Sequence, residues 1–280
     1  MENNEWVTGN VVINIHGQPI EMQMTVPANP VKPHRMLPVF QQMANAFVGI
    51  SSESADAKGK TISCKAGCGA CCRQPVPLAE IEAYQLAELV AQMPEPRRSI
   101  IQKRFADGYE HFSGLRWFDN VLKCANPHPT DREYGPRKLA SLVQDYFKQG
   151  VPCPFLEEES CSIHESRPLA CREYLVTSPA ENCSSPAADA VDLIPLMIKP
   201  SRSLRAIGQT ESSRRLALLP MIRALDFVEK HPENFSEKTG ENWVADFFGQ
   251  LMENQESKPP VEATPTAMRT KSRKKRLKRR

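Results

Sequence analysis

The stretch SCKAGCGACC, residues 63–72, places four cysteines within nine positions, two of them adjacent. The group reads Cys64-x3-Cys68-x2-Cys71-Cys72. Thiolates are soft donors suited to zinc and to iron–sulfur clusters, and spacings this short let one loop curl around a metal. Gly67 and Gly69 flank Cys68. Glycine adopts positive φ and lets backbone amides approach sulfur, which lowers the cost of thiolate charge. Consecutive side chains diverge. Cys71 and Cys72 are therefore expected to serve different sites, or for one of them to stand outside the coordination sphere, which points to two centres close together.

Downstream, CPFLEEESCSIHESRPLACREYLVTSPAENC supplies Cys153, Cys161, Cys171 and Cys183 at intervals of eight, ten and twelve. These gaps exceed those of a zinc knuckle, so tertiary structure must bring the two groups together. Four plus four thiols satisfy two four-cysteine sites, or one cluster and an incomplete second site. The ninth cysteine, Cys124, stands alone in what reads as a loop and is taken as a bystander. His164, three residues past Cys161, is of a type that ligates zinc, but eight thiols make it unnecessary. Arg73, Arg167 and Arg172 lie close to the thiols in sequence. A four-thiolate centre carries a net charge of about −2, which guanidinium groups offset while donating to sulfur. These three arginines are the candidate cofactor-binding residues. The plain alternative is surface ion pairing.

The order GKTISCKAGCGACCRQPVP, CPFL, CSIHESRPLACREY and ENC resembles the YkgJ-type cysteine-cluster family, also called CxxCxxCC or zinc- or iron-chelating. The resemblance is strong over residues 58–185 and extends weakly over 35–250. It implies a mainly bacterial metal or iron–sulfur protein whose eight ligands fall on Cys64, Cys68, Cys71, Cys72, Cys153, Cys161, Cys171 and Cys183. Two features depart from the pattern: three residues, not two, separate the first cysteine pair, and His164 stands where a tyrosine often follows CSI. Related clusters occur in flagellin lysine methylases, which opens an enzymatic reading.

Around this region the expected fold is mainly α with a small N-terminal β-hairpin and an irregular cysteine-rich segment, an α+β chain. Ile20, Met22, Met24 and Val26 alternate with polar residues after HGQP, a strand pattern following a turn. Leu37, Phe40, Ala44, Phe47 and Val48 share a helix face, and SSESADAKGK reads as a polar approach to the cysteines. Further helices are expected over 78–92, over PRRSIIQKRFADGYEHF, over the run Leu139 to Phe147 ended by Gly150, near 220–230, and around Trp243 to Leu251. The segment 151–186 has few periodic apolar positions and is expected to need metal to become ordered. The organisation is then a hairpin and linker over 1–34, a helical cysteine-cluster domain over 35–252, and a disordered basic tail over 253–280.

The net charge of +3 conceals an asymmetry. The last ten residues, KSRKKRLKRR, carry eight basic residues, and residues 1–270 carry a net −5. The tail suits weak contact with nucleic acid or another anionic surface through residues 269–280. No aromatic residues interleave it, so base stacking is not implied. No apolar run approaches the ~18 residues of a membrane span, and MENNEWV lacks a signal-peptide pattern. A reducing cytoplasmic location is expected, where cysteines point to metal or catalysis ahead of disulfides.

The leading functional expectation is an iron–sulfur cluster carrier or redox protein holding a 4Fe–4S cluster, with zinc second and an unidentified redox or protein partner. An iron–sulfur-dependent enzyme, such as a protein methyltransferase or oxidoreductase, is the alternative. The C-x3-C-x2-C spacing matches radical enzymes that cleave S-adenosylmethionine, but the strand–helix alternation of their partial barrel is absent from this sequence. A nucleic-acid-associated protein acting through the tail is the third reading. No Ser-His-Asp order, phosphate-binding glycine loop or metalloprotease helix appears.

Overall fold

The structure is a computed structural model; it describes residues 5–15, 18–127, 133–184, 191–214, 216 and 218–256. The turn expected at His16 and Gly17 and the basic tail at 269–280 lie outside the described residues.

The alternating N-terminal pattern forms an antiparallel hairpin of β1 (Trp6–Ile15) and β2 (Gln18–Pro27), with Ile13 opposite Ile20 and Val11 opposite Met22. One face is apolar by the period-2 rule and must be covered. It is covered by α1 (Leu37–Asp56) and by α10 (Gly240–Glu256), reached at the other end of the chain. Ile13, Ile15 and Val26 join Phe40, Met43, Phe47, Trp243 and Phe247 in the first core, where Phe40 and Phe247 stack at 4.7 Å. The Pro-rich linker between β2 and α1 is pinned by Val31 N–H donating to Lys238 O at 2.8 Å and by the Trp243 indole donating to Val31 O at 2.9 Å.

A second core joins α2 (Glu80–Ala91), α3 (Arg97–Gly114) and α9 (Ala224–Lys230) through Leu86, Val90, Ile101, Phe105 and Phe227. A third surrounds α4 (Trp117–Ala125) and α5 (Pro136–Lys148): Phe112, Trp117, Val121, Leu142 and Tyr146. Gly150, at φ +67°, follows α5 as the expected left-handed stop.

Three expectations change. The helix entering the cysteine region continues through Ser51 to Asp56, because Ser51 and Ala55 are buried and the Ser51 hydroxyl bonds Phe47 O at 3.0 Å. Cys124 is not in a loop: it lies on α4 and packs against the third core. The last helix runs to Glu256, past the boundary expected at 253.

Candidate metal centre

Two segments frame the site. In the first, residues 63–74, Gly67 takes φ +80° and a three-ten turn over Ala70–Arg73 carries Cys71 and Cys72. Cys68 N–H donates to Lys65 O at 3.2 Å and Cys72 N–H to Gly69 O at 3.0 Å. In the second segment, β3 (Leu156–Glu157) and β4 (Ser160–Cys161) form a minimal hairpin, followed by α6 (Leu169–Glu173) carrying Cys171 and a three-ten turn carrying Cys183.

The second segment is held by isolated apolar anchors. Phe155, Leu169 and Val176 are fully buried and Ile163 nearly so. Leu169 belongs to the first core, and Phe155 and Ile163 to the second, so this short region is inserted between both. The expectation that it lacks enough apolar burial to order itself is therefore corrected. Each anchor removes a whole side chain from water, worth about 1.5–3 kcal/mol, without the periodicity that would make it visible in sequence.

Backbone contacts sew the segments together. Cys153 N–H donates to Cys72 O at 2.7 Å, and Ser63 N–H donates to Val176 O at 2.9 Å. Val176 N–H in turn points at the Cys64 Sγ, 3.5 Å away. The amides of Phe155 and Ile163 likewise face the sulfurs of Cys153 and Cys161. Besides the Cys71 amide, which faces its own sulfur, the amide-to-sulfur contacts among the described residues come from the second segment rather than from Gly67 and Gly69.

Gly69 has a different task. A Cβ there would lie 2.7 Å from Leu156 Cδ1 and 3.1 Å from Glu159 Cα, so its absence lets the β3–β4 hairpin seat on the first loop. That hairpin turns on Glu158 and Glu159, both left-handed at φ +48° and +57°. Such turns normally use Asn-Gly, and each non-glycine residue there costs about 1–2 kcal/mol. The Arg73 guanidinium offsets part of this by gripping both Glu159 carboxylate oxygens, at 3.0 and 2.7 Å, while also donating to Gly69 O at 3.0 Å. The acidic run read from sequence as a polar loop therefore contains the latch between the two segments.

All eight expected cysteines, Cys64, Cys68, Cys71, Cys72, Cys153, Cys161, Cys171 and Cys183, line one cavity of about 580 Å³. His164, Arg167, Tyr174 and Met221 share its wall, and Cys124 does not. All nine cysteines carry free thiols. Among the described residues, no three or more His, Cys, Asp or Glu side chains are grouped so as to hold a metal ion. The thiols surround a space instead of closing on a point. Met221 was not read from sequence; its thioether accepts a hydrogen bond from the Cys153 thiol at 3.2 Å. The pairing of Pro77 with Pro220 and the bonds from Leu78 N–H to Leu219 O and from Met221 N–H to Val76 O bring it there.

The three arginines divide. Arg167 lines the cavity, and its buried Nε has no hydrogen-bond partner among the described residues. Its charge favours the thiolate forms of Cys64, Cys71 and Cys161. Arg73 is committed to the latch. Arg172, only 5% exposed, spends its donors on Arg167 O at 3.0 Å, Asn45 Oδ1 at 2.9 Å and Glu165 O. It ties the 164–172 bend to α1 and does not line the cavity. The Glu173 carboxylate accepts from Ser201 N–H and Oγ.

Burial favours the protonated form of Cys64, Cys153, Cys161, Cys171 and Cys183. It raises Cys153 to about 12 and Cys183 to about 11, and pushes Cys171 well up. Cys71 is raised chiefly by a hydrogen bond with the Cys72 thiol and secondarily by burial. The adjacent pair therefore interact rather than diverge, against the expectation from sequence. Behind the cavity, burial raises the Glu82 carboxyl to about 7, while the N–H groups of Ala79 (2.7 Å) and Leu169 (2.8 Å) hold it in place.

Eight thiols, amides facing the sulfurs of Cys64, Cys153 and Cys161, and the unpartnered Arg167 Nε are donors of the type that a soft, thiophilic metal takes. Residues 63–188 match the family model CxxCxxCC, described as "Putative zinc- or iron-chelating domain". Over that stretch the chain is similar to this YkgJ-type family. No curated protein and no solved structure matches the chain. Among the described residues, no helix is long and apolar enough to cross a membrane.

Proposed function

We propose that the chain is a metal-binding cysteine-cluster protein whose eight thiols hold an iron–sulfur centre, serving as a cluster carrier or redox protein. The observation that carries this reading is the meeting of two distant cysteine groups around one cavity of about 580 Å³. A single zinc ion needs four donors at roughly 2.3 Å from one point, and the thiols surround a larger volume than that. A polynuclear centre needs internal space of this kind. The donor set fits in type: sulfur throughout, with the Arg167 Nε left to donate toward a negatively charged centre. Bound there, an iron–sulfur cluster would supply one-electron chemistry. The protein's own part is to shed the thiol protons, to aim the amides of Phe155, Ile163 and Val176 at sulfur, and to hold the two segments together.

The experiment is anaerobic isolation followed by assay of iron, zinc and acid-labile sulfide per chain, with visible absorption. The expected result is iron and sulfide in matching amounts and broad absorbance. Colourless protein with stoichiometric zinc would replace the cluster by zinc in the same cavity. Protein without any metal would overturn the reading.

A further inference from the structure

A second pocket, of about 850 Å³ and more open to solvent, adjoins the thiol cavity. The two share Lys65, Gly67, Cys68 and Glu159 as a common wall. Of the eight thiols, Cys68 alone lines both spaces. It is half-buried, between exposed Gly67 and buried Gly69. The rest of the outer pocket includes exposed Gln144 and Lys148 from α5 and Ser184 beyond Cys183. The Arg73–Glu159 latch stands at the junction: Arg73 faces only the outer pocket, and Glu159 faces both. Cys153, Cys161 and Cys171, by contrast, pack against the second core and do not line the outer pocket.

We infer that the outer pocket is the port through which a soft, thiophilic cation enters and leaves the cavity, and that Cys68 is the exchange thiol, the first to engage the ion and the last to release it. The inference rests on the metal-binding reading above. Entry is a ligand exchange. The Cys68 S–H gives its proton to solvent as the sulfur–metal bond forms, and the ion sheds a water or small-molecule ligand. Ligands already on the ion are then replaced one at a time by the inner thiols, each releasing a proton. Departure runs the same steps in reverse, with an external chelator taking the ion at Cys68.

Two measurements on the full chain test this. The first uses metal-free protein, limiting iodoacetamide and mass-spectrometric mapping of the modified cysteines. Cys68 should be alkylated at least about tenfold faster than Cys153 and Cys171, since reactivity follows access to the thiol. Equal or reversed order overturns the port. The second measures Cd2+ uptake from the thiolate–metal charge-transfer absorbance, then extraction by a chelator, for wild type and for Gln144→Trp and Ser184→Trp. Both substitutions fill the outer pocket without removing a thiol, and circular dichroism checks that each variant is folded. Uptake and extraction should slow by the same factor, several-fold, with the dissociation constant unchanged. Folded variants with wild-type rates, or with a changed constant and an unchanged uptake rate, overturn the port. Failure of wild type to bind Cd2+ at all would remove the metal-binding reading instead, while the alkylation order still decides the route of access.

Discussion

Residues 63–74 bring four thiols together over nine positions by local means: a left-handed glycine, a three-ten turn and bonds within the loop. Residues 151–184 deliver the other four from a bend, a two-residue strand, a short helix and a three-ten turn. Buried side chains spaced along the segment, Phe155, Ile163, Leu169 and Val176, anchor it. The first segment carries its arrangement in its own sequence. The second borrows its arrangement from the cores around it. The site therefore depends on packing far from any sulfur, and the two halves should fail in different ways when perturbed.

The largest stability effect belongs to the second segment. Phe155→Ala removes a fully buried ring stacked edge-on with Phe105 at 5.5 Å. It should cost about 3–5 kcal/mol, read by denaturant unfolding of metal-free protein. A loss below ~1 kcal/mol would mean that the anchors do not hold this half.

Next comes the seam between the halves. Gly69→Ala puts a Cβ against Leu156 and the Glu159 backbone, and should cost about 1–3 kcal/mol as the hairpin is displaced. Gly67→Ala, strained by its φ of +80° but with open space at Cβ, should cost about 1 kcal/mol. If Gly67→Ala proves the more damaging of the two, the close approach at Gly69 does not govern the seam.

Third is the pH response of the metal-free form. Burial raises Cys153 to about 12 from an ordinary 9. The unfolded chain therefore gives up this proton first. Stability from the group is complete below pH 9 and is lost as pH rises from 9 to about 12, by up to ~1.4 kcal/mol per pH unit. Cys153→Ser should flatten that part of the stability–pH curve relative to wild type. An identical slope in both proteins would contradict the burial of this thiol. The smallest effect is expected at Cys124, half-buried on α4 and away from the cavity. Cys124→Ser should leave metal content unchanged and stability within about 0.5 kcal/mol.

Legibility in the sequence follows the same division. Hairpin alternation and the apolar stripes of α1, α2, α3 and α5 are periodic, so they can be read directly. Helix α4 carries its stripe, Trp117, Val121 and Cys124, over only nine residues, too few for the pattern to stand out from a loop, and it begins after Arg116 in a left-handed conformation at φ +53°. The eight cysteines could be chosen by spacing and by family resemblance. The parting of the three arginines could not, because it depends on Glu159 meeting Arg73, Asn45 meeting Arg172, and no described residue meeting the Arg167 Nε. Met221 and the latch residue Glu159 reach the site across 68 and 86 positions of chain, contacts that no local pattern announces.

The central claim is that two sulfur-bearing segments jointly hold one inorganic centre. Its most direct test is metal content per chain, after anaerobic isolation, for wild type beside the pairs Cys71→Ser/Cys72→Ser and Cys153→Ser/Cys171→Ser. The account predicts loaded wild type, and loss of most of the metal in either double variant, whichever segment is altered. Full metal retention when one whole pair is gone, or an empty and folded wild type, would contradict it.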